Sequence, residues 1–163
     1  VASVLNELGT VALGQGDLST ARSYYSRMVS IYRNAYDDRH YLIALALANL
    51  GGVYLTEEDY EQAEPLYREA IGRFTETLGE NHVQTAIAQI KLGRILLRQG
   101  HHDEAEHHLL AGYESLSAQT VPSVSWLRTA REDLIAIYEA TDRPTLAARF
   151  RAELETTAAQ LSP

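Results

Sequence analysis

The chain has 163 residues, 45% of them hydrophobic and 22% charged, which fits one folded domain and excludes collagen-like, low-complexity and strongly disordered classes. With 22 acidic residues against 14 basic ones the net charge is -8, which disfavours nucleic acid as a partner because binding it needs a basic footprint. Cysteine is absent, so disulfides, thiol catalysis and cysteine-ligated zinc are excluded.

In chain order, apolar spacing predicts eight helices, over residues 1–14, 17–35, 42–56, 59–77, 83–99, 102–117, 124–140 and 143–161. The first begins on Val1, Val4, Leu5 and Leu8 and stops at Gln15-Gly16-Asp17. Ala44, Leu47, Leu50, Gly51 and Tyr54 share one face of the third. Tyr60, Ala63, Leu66, Tyr67, Ala70 and Phe74 make the stripe of the fourth, after the break at Glu57-Glu58-Asp59. Gln99-Gly100-His101 and Thr141-Asp142-Arg143-Pro144 separate the later pairs. In these breaks glycine suits a left-handed C-terminal residue, aspartate caps the next helix and proline fits its first turn. The uncharged run from Tyr41 to Leu55 is too short to span a bilayer, which takes about 20 residues. No signal peptide is visible, so the segment is expected to be soluble and cytoplasmic.

The helices repeat in pairs with a period of 42 residues. Leu8, Leu50, Leu92 and Leu134 coincide, as do Ala21, Ala63, Ala105 and Ala147. Gly9, Gly51 and Gly93 align, with Ile135 ending the series, and Tyr25, Tyr67 and Leu109 align, with Arg151 as the exception. Glycine in mid-helix costs about 1 kcal/mol relative to alanine, so its recurrence predicts a close approach of a neighbouring helix there. Ala21, Ala63, Ala105 and Ala147 are expected to supply the opposing small surface. Tyr25, Tyr54 and Tyr67 are expected to fill space between adjacent pairs, as core and not as a cofactor site.

The pattern Leu-Gly, an aromatic or aliphatic residue, then Gly-Asp-x-x-x-Ala and a downstream Tyr resembles the tetratricopeptide repeat. The longer period, Leu78-Gly79-Glu80-Asn81-His82 and the run Glu61–Ala70 are similar to the repeats of kinesin light chains. In that subtype the linker reads His-Pro, and here Val83 follows His82. The resemblance implies an all-α, right-handed superhelical solenoid of four helix pairs (residues 1–40, 41–82, 83–122 and 123–163), forming a single array. The last pair is the more polar, as a terminal repeat requires, and further repeats are expected ahead of Val1. Residues 133–140 and 143–151 also resemble the C-terminal tail of repeat-bearing bacterial serine/threonine kinases.

No enzymatic or nucleotide-binding signature occurs. The catalytic-loop His-Arg-Asp, Asp-Phe-Gly, Gly-Lys-Ser/Thr, Gly-x-Ser-x-Gly and His-Glu-x-x-His motifs are all missing, and Lys91 is the only lysine. No enzyme activity, cofactor or metal is therefore expected of this segment. His101, His102, His107 and His108 cluster with acidic neighbours at i, i+4, a spacing that can hold a divalent ion. However, His102 stands in the register of Leu18 and Tyr60, and His108 in that of Tyr24 and Leu66, which predicts packed rings.

The resemblance places a ligand groove along the first helix of each pair. It is implied to comprise Ser3, Asn6, Thr10 and Leu13, then Leu45, Ala48, Gly52 and Leu55. Ile87, Ile90, Arg94, Leu97 and Arg98 follow, with Thr129, Glu132, Ala136 and Glu139 from the last pair. Arg94 and Arg98 are read either as anchors for a ligand carboxylate or as partners of acids such as Glu132. The expected function is a scaffold binding an apolar, acidic peptide or protein segment. Two alternatives are a regulatory or sensory tail of a serine/threonine kinase and self-association through the open N-terminal face.

Overall fold

The computed structural model describes residues 2–36 and 40–161, with side chains to residue 157. Among the described residues there are eight helices and no strand. They are α1 (Ala2–Gly14), α2 (Leu18–Ala35), α3 (Tyr41–Thr56), α4 (Tyr60–Leu78), α5 (Val83–Arg98), α6 (His102–Ser117), α7 (Val124–Ala140) and α8 (Pro144–Leu161). Each described boundary lies within one residue of its predicted place. Val1, the predicted start of the first stripe, lies outside the described residues.

The periodicity has a backbone counterpart in the link between the two helices of each pair. Gly16, Glu58, Gly100 and Asp142, spaced by the repeat, all adopt positive φ, at 77°, 59°, 81° and 54°. The amide after each donates to a carbonyl five residues back, as Asp17 does to Ala12 and Asp59 to Tyr54 at 2.9 Å. His101 to Leu96 at 2.9 Å and Arg143 to Tyr138 at 2.8 Å complete the set. All four links are thus Schellman closures, which satisfy carbonyls the helix end leaves open. Asp17 and Asp59 then cap α2 and α4, their Oδ1 atoms accepting from the amides of Thr20 (3.0 Å) and Gln62 (3.2 Å).

The chain divides into two compact units, Val1–Ala88 and Gln89–Pro163, and the division falls inside α5. In the first, α1 packs on α2, α2 on α3 and α3 on α4. Its buried side chains include Met28, Ile43, Leu47, Tyr67 and Phe74. In the second, α6 packs on α7 and α7 on α8, around Leu92, Ile95, Leu96, Leu109, Tyr138 and Phe150.

The close approach at the repeated glycines is present; a larger side chain of the second helix lies nearest at all three, and the expected alanine is among the nearest atoms at Gly93. A Cβ on Gly9 would stand 2.6 Å from the Tyr25 ring, and one on Gly51 would stand 2.9 Å from the Tyr67 ring. On Gly93 it would meet Leu109 Cγ at 2.6 Å and the Ala105 carbonyl oxygen at 3.0 Å. Tyr25, Tyr67 and Leu109 therefore seat against the first helix of their own pair, while the Tyr54 ring centre lies 5.9 Å from the Arg22 guanidinium of the preceding pair. The reason is one of size. The alanine one turn earlier keeps the second helix near, and only a residue without a side chain leaves room for the ring that follows.

Candidate functional site

In the first unit, α1 and α3 each carry partly exposed residues at the implied groove positions. Thr10 is exposed, while Asn6, Leu13, Leu45, Ala48, Gly52 and Leu55 are half-buried. Asn49 Nδ2 donates to Asn6 Oδ1 at 2.7 Å, joining the two helices through a polar pair. The Thr10 hydroxyl lies 2.9 Å from the Asn6 carbonyl and 3.1 Å from the Tyr25 hydroxyl. Most of the face is apolar, with few exposed charges. Ile87, in the first turns of α5, is also half-buried.

The second unit departs further from the sequence reading. Ile90 has 0% of its surface exposed, so it belongs to the core and offers nothing to a ligand. Arg94 Nε donates to Asp133 Oδ2 at 2.9 Å, and Asp133 is only 5% exposed. That commits Arg94 to an internal pair, so it is not an open anchor. Its partner is Asp133 and not Glu132, which is exposed. Burial pushes the Asp133 carboxyl above its ordinary range, against the opposing pull of Arg94 and Arg98. Arg98 is exposed and makes no ion pair among the described residues, while Leu97 beside it is half-buried. Lys91, on the same helix, stands 5.3 Å from the centre of the Trp126 ring, and burial lowers its pKa.

A second polar cluster, not anticipated from the repeat pattern, joins α6, α7 and α8. Glu153 accepts from the Tyr113 hydroxyl at 2.5 Å and from Nε of Arg131 and of Arg149 at 3.2 Å each. Burial would raise its carboxyl, but the three donors outweigh that and hold it below the usual carboxylate range. The three donors come from three helices, and no spacing within one repeat could have signalled their convergence.

The histidines behave as their register predicts for packing. His102 and His108 are half-buried, and His101 and His107 are exposed. His108 Nδ1 pairs with Gln89 Oε1, and its Nε2 lies 3.9 Å from Glu104. Among the described residues no group of three or more histidines and acids is placed to hold a metal ion. Two other histidines have an unforeseen role. The Nδ1 atoms of His40 and His82 accept from the amides of Leu42 and Gln84, each at 3.2 Å, at the starts of α3 and α5.

A sequence model described as tetratricopeptide repeat matches residues 1–76 and 49–118. No curated protein matches the chain. Among solved structures, BtubC (BKLC) from P. vanneervenii superposes over 99% of this chain with a TM-score of 0.86 at 19% identity. This chain spans 65% of that one. A putative kinesin light chain from Podosopora anserina with nearly identical TPR-like repeats superposes over 99%, at TM-score 0.83 and 16% identity, and 76% of it is covered. The apo form of RapI superposes over 98%, at TM-score 0.86 and 14% identity, with 56% of its chain covered. At these identities the likeness is one of fold. Among the described residues, no helix is long and apolar enough to cross a membrane.

Proposed function

Because this chain belongs to the tetratricopeptide repeat family, we propose that it is a protein-binding scaffold whose first helices hold a segment of a partner protein. The observation that carries this reading is the row Leu13, Leu45, Ala48 and Leu55 on α1 and α3. These apolar side chains stay partly open while the residues around them, Leu5, Leu47 and Leu50, are buried. Covering one such side chain with ligand surface contributes about 1.5–3 kcal/mol. The polar pair Asn6–Asn49 in the same face offers hydrogen bonds to an extended peptide backbone. In the second unit Leu97 and Arg98 offer an aliphatic contact and a cation, which suits a peptide that carries an acidic group.

Selection of displayed random peptides on the folded chain tests this. Binders enriched in apolar and acidic residues are expected, and Leu45→Asp with Leu55→Asp should abolish their recovery while helical content is retained. Equal recovery on that variant would place binding elsewhere. The alternative of a serine/threonine kinase tail rests on the last helix pair, which the family match ending at residue 118 does not reach. A glycine-rich loop and a catalytic aspartate encoded upstream would favour it.

A further inference from the structure

Where α2 gives way to α3, three aromatic rings stack at the surface of the first unit. Tyr36 closes α2 and Tyr41 opens α3, and the His40 ring stacks on both. Its centre is 3.9 Å from that of Tyr36 and 5.2 Å from that of Tyr41, with 23° between the planes in each case. Tyr36 and Tyr41 are 41% and 43% exposed. His40 is fixed in the stack by its Nδ1 atom, which accepts from the Leu42 amide at 3.2 Å. A ring nitrogen that accepts carries no proton, so in this arrangement the imidazole is neutral and brings no positive charge to the stack.

Elsewhere the chain covers ring faces with its own guanidinium groups. Arg22 stands over Tyr54, Arg131 over Tyr113, Arg143 over Tyr138 and Arg149 over Phe150, between 4.8 and 5.9 Å from the ring centres. Among the described residues no cation stands over Tyr36 or Tyr41. Charge points the same way. Residues 1–88 hold 12 acidic side chains against 6 basic ones, so this unit carries -6 of the chain's -8. Arg22, Arg33, Arg68 and Arg73 are moreover paired with glutamates. We propose that Tyr36, His40 and Tyr41 form a platform on which an arginine of a basic partner segment stacks its guanidinium against the exposed tyrosine rings. The platform shares no residue with the row on α1 and α3 assigned above to an acidic segment. A proline-rich segment is the poorer occupant, because it would gain apolar area from the rings and nothing from the negative charge of the unit.

The test titrates the intact chain, isotopically enriched in its tyrosine rings, with a blocked peptide of alternating glycine and arginine. A counterpart peptide carries citrulline, planar but uncharged, in place of each arginine. The arginine peptide is expected to shift the ring signals of Tyr36 and Tyr41 and to leave those of Tyr113 and Tyr138 in place. Citrulline, and separately Tyr36→Leu with Tyr41→Leu, should each weaken binding about 5-fold, since every exposed ring–cation contact contributes a few-fold. Tyr36→Phe with Tyr41→Phe should keep affinity within about 2-fold, because the ring face is retained. The leucine variant preserves the chain's charge, so attraction to net charge alone would survive in it. Should that variant lose helical content, the ring signals of the unsubstituted chain decide the matter. Unmoved Tyr36 and Tyr41 signals, a folded leucine variant that binds as tightly as the parent, or equal affinity for the citrulline peptide would each overturn the proposal. A proline-rich peptide that moves the same two rings at lower concentration would overturn it in favour of a polyproline partner.

Discussion

Glu58 and Asp142 hold the left-handed backbone that Gly16 and Gly100 adopt without a Cβ penalty. Such a conformation in a residue with a side chain costs about 1–3 kcal/mol. Glu58→Gly is therefore expected to stabilise by roughly 1 kcal/mol, and Asp142→Gly by less, because Asp tolerates this region better. Urea unfolding of the single variants measures both, and a loss of stability on Glu58→Gly would refute the strain. At Arg94 the consequence runs the other way. Arg94→Ala leaves Asp133 buried without its cation and should cost about 3 kcal/mol, whereas Arg98→Ala, which removes only a more distant pull on the same carboxyl, should cost much less. The cation was legible in the sequence and its partner was not. Neighbouring residues on a helix point about 100° apart, so Glu132 turns outward while Asp133 turns in, and composition cannot tell the two acids apart. Titration separates the Asp133 and Glu153 sites as well. The Asp133 carboxyl is raised, so its contribution is full below the ordinary value of 3.8 and is lost as pH rises through its folded value. Glu153 is lowered, so its contribution is present above the ordinary value of 4.5 and is lost as pH falls through its folded value. The stability difference between wild type and Glu153→Gln should accordingly shrink on acidification below about 4.5, and a difference that grows would contradict the donor cluster.

Helices and their limits were readable because the apolar period agreed with punctuation in the links, with a capping aspartate ahead of α2 and α4 and a first-turn proline opening α8. What the repeat could not convey is which residue touches which. A period reports that Gly51, Ala63 and Tyr67 recur together, but not that the tyrosine ring, and no alanine methyl, fills the glycine's space. The three seams also differ in how they would yield. At Gly9 and Gly51 an added methyl meets a ring edge, while at Gly93 it meets Leu109 Cγ and the backbone oxygen of Ala105. A backbone atom moves only if the helix moves with it. Gly93→Ala should therefore destabilise by about 1–3 kcal/mol despite the gain in helix propensity, and by more than Gly51→Ala. Thermal melts of the two variants decide the order, and equal melting temperatures would mean that α6 shifts as easily as a side chain.

At the scale of the molecule, the acidic segment proposed as partner would meet a chain of net charge -8, so a local cation would have to receive it. With Arg94 engaged internally, that role falls to Arg98 in the second unit. Peptide affinity is thus expected to fall as ionic strength rises, through screening of an exposed pair, and Arg98→Glu should both weaken binding and flatten the salt dependence. A titration series in salt with the wild type and this variant checks it, and an unchanged slope would remove Arg98 from the interface.

The four Schellman closures bear on how such a chain could lengthen in evolution. Each pair is joined by the same turn at the same step of 42 residues, so a duplicated or excised stretch of that length rejoins ends that already match. Unequal crossing-over between repeats would then add or remove a pair without inventing a new loop. Glycine takes the left-handed position at two of the turns, and glutamate and aspartate take it at the other two. A gain or loss of one pair is for that reason expected to leave the turn between helices intact.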